Sequence, residues 1–283
     1  MLKSQTISFH YDPSEAVCGG FLTPVYFNRE VLTRYLYDSR FSCDFSSETY
    51  GTVFGPEFYI SFGVNRNGTV FAWLGDLDKL PFREKLYWLV ENKEPEDEIA
   101  SQFFDAQIHA ELTSPPAIID CLNDLSKLNS EFHQKFGVHL YHDRSIEERI
   151  DETRRYKRLI LNNQDDLKRF VSGLNEIINE NTNNVEVRKY LKGHGIAFES
   201  GMKGNKLLQL VYQNTLGDED NLIAPFFYLY DLRLWADHST GSKYLTDVSE
   251  KLGVPSDSYS DILDALVAQL HVSIKAIKEK LNA

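Results

Sequence analysis

Apolar positions come in short alternating or clustered runs in the first quarter of this chain and recur every three or four residues through its second half. A period of two belongs to strands and one near 3.6 to helices, so the pattern predicts strands first and helices later. Residues 1–75 read as mainly strand. Residues 21–27 are apolar and aromatic but carry Pro24, which confines them to an edge or an irregular strand. Residues 30–38 place Val31, Tyr35 and Asp38 at helical spacing, with Leu32 and Leu36 on a neighbouring stripe, and predict a short helix. Residues 57–76 predict a hairpin. Two runs rich in β-branched and aromatic residues there flank Asn65-Arg66-Asn67-Gly68, and Asn-Gly supplies the positive φ angles of a tight turn.

Gly75 and Pro81 then punctuate a turn, and residues 82–90 predict a helix with Leu86 and Leu89 inward. An acidic stretch, 94–98, precedes a second helix over 99–108. Ser114-Pro115-Pro116 breaks the chain. Over 117–136, Ile118, Ile119, Leu122, Leu125, Leu128 and Phe132 recur at helical steps, and Gly137 ends that helix. Residues 138–141 form a brief extended piece, and Ser145 with Glu148 has the spacing of a capping box. Beyond it the expected helices are 146–161, 165–179, 185–191, 205–216, 222–237 and 258–281. Helices of this length on short links describe a bundle. The expected fold class is therefore α+β, with a mixed β/α domain over 1–142 followed by a helical bundle over 143–283.

Composition adds limits. At 283 residues, 42% of them hydrophobic, the chain has enough apolar side chain for real cores and is long enough for two. No run of about 18 apolar residues appears, and the N-terminus lacks a basic start followed by an apolar block, so neither a membrane span nor a secretory signal is expected. Cys18, Cys43 and Cys121 are widely spaced and form no CxxC pair, which fits reduced thiols in a cytoplasmic protein. The net charge of −12 is uneven, −10 over residues 1–143 and −2 over 144–283. An acidic chain gains no long-range attraction to nucleic acid, so any RNA-handling surface is expected to be local and in the second half. The Leu74-Gly75-Asp76-Leu77 run, with Leu80-Pro81 and Tyr87-Trp88 after it, resembles a pattern of uncharacterised bacterial proteins that has no activity attached to it.

The one nameable chemistry lies in residues 224–238, the densest apolar run of the second half, which closes on Arg233 and His238. This resembles the R-x4-6-H motif of the HEPN superfamily, helical bundles found in prokaryotic ribonucleases and in non-catalytic defence and toxin–antitoxin proteins. The resemblance implies a metal-independent endoribonuclease in which His238 acts as base on a ribose 2′-hydroxyl or as acid on the leaving oxygen. Arg233 would stabilise charge on the phosphoryl oxygens, and the products would carry cyclic phosphate ends. Family members usually set two such pairs face to face, which implies a homodimer. At about 100° per residue, positions five apart point roughly 140° away from each other, so the two side chains converge only where the helix frays before His238. No metal and no cofactor is expected.

Other motifs carry weaker signals. Arg188 and His194 also fit the spacing, but on a short polar helix ending at Gly193, where a histidine serves as a cap. The basic run Arg154–Arg158, with Lys168 and Arg169, offers either a phosphate path or a solvated face answered by neighbouring acids. His139, His142 and Asp143, and likewise Asp76 and Asp78, have metal-ligand chemistry without a third well-placed ligand. Two functions follow. One is a bacterial defence or toxin-type ribonuclease, with RNA as substrate and an N-terminal domain that senses a trigger or binds a partner. The other is a non-catalytic dimerisation or docking scaffold within a larger complex, in which Asp231 or Asp237 holds Arg233 in a salt bridge.

Overall fold

A computed structural model describes residues 7–15, 20–65, 67–95, 99, 101–145, 148, 163–217, 221–237 and 242–283. The chain divides into two compact units, Met1–Pro116 and Ala117–Ala283, the first built on a sheet and the second helical, so the fold is α+β. The division falls at the Pro115-Pro116 break, whereas the sequence pattern had suggested residue 142. The reason is packing: helix Ala117–Phe136 lies along the C-terminal helix Tyr259–Asn282, and Leu140 and Tyr141 are buried in the helical core.

In the first unit, β1 (Pro24–Phe27), β2 (Ser42–Ser47), β3 (Tyr50–Phe54), β4 (Tyr59–Val64) and β5 (Val70–Trp73) form one antiparallel sheet in the order β1-β5-β4-β3-β2. Pro24 does sit on an edge strand. The hairpin closes through Asn65, whose N–H donates to the Thr69 carbonyl at 2.9 Å, and Gly68 takes a φ of 86°. Side chains alternate across the sheet. Tyr26 shares one face with Phe71, Trp73 and Phe103, while Phe27 meets Trp88 edge-to-face at 4.8 Å on the other. Trp88 belongs to α3 (Phe82–Val90), which follows α1 (Thr33–Tyr37) and α2 (Leu74–Lys79).

Two local expectations change here. The Gly75–Pro81 segment is a helical turn rather than an open one. The inward residue of α3 is Trp88 rather than Leu86, which is exposed, because the indole N–H reaches the buried Tyr35 hydroxyl at 2.9 Å. The helix expected over 99–108 is realised as α4 (Gln102–Phe104) running into a wider turn over Asp105–His109; the Ser101 side chain caps it.

In the second unit, α5 (Ala117–Phe136) leads to an extended piece held by Asn129, whose amide exchanges two hydrogen bonds with the Tyr141 backbone. The Ser145–Glu148 capping box is present in both directions, at 3.1 and 2.8 Å. The helix expected over 146–161 lies outside the described residues apart from Glu148. Then come α6 (Gln164–Asn175), which widens over Glu176–Glu180, α7 (Asn184–Gly193), α8 (Asn205–Thr215), α9 (Ala224–Asp237), α10 (Ser242–Leu252) and α11 (Tyr259–Asn282). The pattern had not marked α10. Among the described residues, no helix is long and apolar enough to cross a membrane.

Candidate functional site

Helix α9 is anchored by Phe226, Leu229, Leu232 and Trp235, each three residues from the next and all buried. That stripe fixes the helix and leaves Tyr230, Arg233 and Asp237 off the core face. The Arg233 guanidinium, about one third exposed at 34%, sits 3.0 Å from Asp237 through Nη1 and 3.7 Å from the Glu180 carboxylate through Nη2. Asp237, rather than Asp231, thus supplies the flanking salt bridge expected from the sequence. Burial raises the pKa of Asp231; Lys251 offsets part of that and Asp247 adds to it.

Glu180 is itself positioned from within the bundle. Its carboxylate accepts a hydrogen bond at 2.9 Å from the amide of Asn175, a fully buried residue, and Asn175 in turn accepts one at 2.8 Å from Asn179. Asn179 also donates to the Phe226 carbonyl, which receives Asn205 as well, both at 3.0 Å. A buried polar chain therefore runs from α8 and α9 through Asn179 and Asn175 to Glu180, next to Arg233. Buried amides are costly unless bonded, so this chain also fixes the geometry around Arg233.

Asn179, Glu180 and Asn205 line a cavity of about 590 Å³ that also takes in Lys203, Lys206 and Tyr230. No side chain caps α8, because its N-cap is Gly204, at φ 53° and ψ −132°. The Gly204 N–H is held by the Asn184 side chain at 2.7 Å. These asparagines were legible only as turn formers. Asn175 and Asn179, four residues apart, share one face of the helical run that begins with α6, which is where their amides meet.

His238 follows directly on the last residue of α9 and lies outside the described residues, so Arg233 is seen here with its two carboxylates alone. The basic run Arg154–Arg158 and Cys18 also lie outside them. Lys168 pairs with the exposed Asp165 at 3.7 Å and lies over the Trp235 ring, and Arg169 pairs with Asp166, which is buried, so both bases are answered by acids of their own helix. Arg188 donates to the Met202 carbonyl at 2.7 Å, while a His194 ring nitrogen lies 2.9 Å from the Tyr190 carbonyl, so that pair serves a helix end. His139 stacks on His133 at 3.8 Å, and Asp76 and Asp78 pair with Lys79 and Lys85. Among the described residues no group of three His, Cys, Asp or Glu side chains is placed to hold a metal ion. Cys43 and Cys121 are buried and form no disulfide, and burial, helped by the Asp124 charge, pushes the Cys121 thiol up to about 12, far from a reactive thiolate.

No protein-family model matches the chain, and no curated protein or solved structure matches it.

Proposed function

We propose that this is a HEPN-like protein of the bacterial defence or toxin type whose helical unit cleaves RNA without a metal, through Arg233 and His238, as a homodimer. The observation that carries this reading is the setting of Arg233. It stands on the solvent side of a core-anchored helix, held by Asp237 and Glu180, five residues before His238. A guanidinium presents five donors in a fixed plane, and two carboxylates aligning it leave donors for a phosphate.

In the proposed step the ribose 2′-oxygen attacks the adjacent phosphorus and the bond to the 5′-oxygen breaks. One histidine takes the 2′-proton and another acid protonates the leaving oxygen, a division that two facing copies of the pair supply. The products are a 2′,3′-cyclic phosphate and a 5′-hydroxyl end. Arg233 stabilises the charge that builds on the non-bridging oxygens. The sheet-based unit would then sense a trigger or bind a partner.

A second reading is favoured by the 3.0 Å Arg233–Asp237 pair: a non-catalytic dimerisation or docking scaffold, in which the arginine only ties down the end of α9. RNA cleavage in EDTA separates the two. The ribonuclease reading expects cleavage that survives chelation and is lost in folded Arg233→Ala and His238→Ala variants. A folded wild type that leaves RNA intact, and whose expression does not slow growth, moves the assignment to the scaffold.

A further inference from the structure

Residues 110–116 form neither helix nor strand, and two features of the sequence account for it. Ala110 takes a left-handed φ of 57° and closes the wide turn before it. Pro115 and Pro116 have no N–H to give to a helix or a sheet, and each pushes the residue ahead of it toward extended backbone. Between these two stops, Leu112 and Thr113 make no hydrogen bond among the described residues, and Leu112 is 100% exposed. Other irregular stretches are tied down. Phe41 packs on the Tyr35 ring at 5.1 Å and its N–H donates to the Asp38 carbonyl. Met202 packs on the helical core and its carbonyl accepts from Arg188. Val254 packs there too, and its N–H donates to the Ser249 carbonyl.

An endopeptidase takes its substrate as an extended strand, held through main-chain hydrogen bonds with a pocket for a chosen side chain. A segment bonded to its own protein must open before it can be held this way, and one with free N–H and C=O groups need not. We propose that the Leu112–Thr113 bond is a proteolytic cleavage site, cut by an endopeptidase whose pocket accepts a large apolar side chain. The hydroxyl of a water joins the Leu112 carbonyl carbon, the C–N bond breaks, and the Thr113 nitrogen takes the remaining proton. The prolines do not obstruct this, because threonine stands directly after the bond. The cut falls after Ile108, the last side chain packed on the aromatic cluster of the sheet, and before Ile118, the first of the helical core. It therefore divides the chain without opening either cluster. This inference goes beyond the proposed RNA cleavage and does not depend on it.

The test is brief digestion of the folded full chain with chymotrypsin, with new N-termini read by mass spectrometry. Two bonds serve as internal controls. Chymotrypsin prefers tyrosine to leucine, so exposure alone would favour a cut after Tyr59, which is 72% exposed but lies in β4. Leu86 presents the same side chain as Leu112, 42% exposed in α3. The N-terminus at Thr113 should appear about a hundredfold faster than those at Ile60 and Tyr87, whose bonds are reached only when a strand or a helix opens. Leu112→Asp should slow the cut about tenfold or more with no change in melting temperature, since the side chain touches neither cluster. Cleavage after Tyr59 or Leu86 as fast as after Leu112 overturns the proposal. So does an unchanged rate in Leu112→Asp, or a Thr113 N-terminus that appears only once denaturant is added.

Discussion

His271 on α11 lies 2.9 Å from the Asp124 carboxylate on α5, although 147 residues separate the two in the chain. Lys278 reaches the other carboxylate oxygen at 3.1 Å and Lys127 stands 3.5 Å away, so one nearly buried acid ties together the two longest helices of the helical unit. Burial alone would raise its pKa. The hydrogen bonds from His271 and Lys278 and the charges of Lys278 and Lys127 overcome that, holding it at about 2 against an ordinary 3.8.

A depressed carboxyl pKa contributes stability that is complete above the unfolded value and is lost as pH falls toward the folded one. The helical unit should therefore lose stability between about pH 4 and pH 2 in proportion to Asp124 protonation. Asp124→Asn should flatten that acid limb and lower stability at pH 7 by about 1–3 kcal/mol, since it strands the two partners. Denaturant melts of both proteins across this range measure it; superimposable acid limbs would refute it.

In the first unit the Tyr35 hydroxyl donates to Glu84 at 2.6 Å and accepts from the Trp88 indole at 2.9 Å. Arg34 pairs with the same glutamate and lies 3.9 Å over the Tyr87 ring. Tyr35→Phe keeps the ring and removes these bonds together with the one the hydroxyl accepts from Arg34 at 3.0 Å, leaving the buried indole N–H without an acceptor. The expected cost is about 1–3 kcal/mol by chemical denaturation. A cost below about 0.5 kcal/mol would mean that the cluster contributes shape alone.

Gly204 occupies φ 53°, ψ −132°, a region that L side chains rarely adopt, although an added Cβ would meet nothing closer than the Asn179 carbonyl at 3.8 Å. Backbone rather than space is the constraint. Gly204→Ala should cost about 1–3 kcal/mol. Thermal melting measures it; an unchanged melting temperature would show that the turn relaxes freely.

The helical rhythm of Ile118, Leu125, Leu128 and Phe132 was legible because each of these residues buries on one face. So was the turn at Asn67-Gly68, where backbone chirality leaves few choices. Trp88 was missed in favour of Leu86 because periodicity ranks hydrophobicity and cannot see that the indole N–H has Tyr35 to bond. α10 went unmarked because its buried face holds only Val248, Ser249 and Leu252, with Leu245 half-buried, rather than a run of large apolar residues. At the site, Arg233 with Asp237 one helical turn on was readable from spacing. Glu180 and Asn179, at the end of the widened turn after α6, and Asn205, at the start of α8, were not, since only tertiary packing brings those two elements together.

The pairing of Arg233 with Asp237 also separates positioning from stability. Both side chains are more than one third exposed, so their attraction is screened and the pair contributes under about 0.5 kcal/mol. Asp237→Asn should barely move the melting temperature, yet it frees the guanidinium to rotate and should slow RNA cleavage about tenfold. Arg233→Ala should slow it a hundredfold or more, and Arg233→Lys should restore little, because an ammonium lacks the planar set of donors. A scaffold predicts another pattern: small, equal changes in stability and dimerisation for all three variants, with no cleavage to lose. Rates measured in EDTA beside melting curves for the same preparations decide between them, since only a positioning role lets Asp237→Asn change the rate without changing the fold.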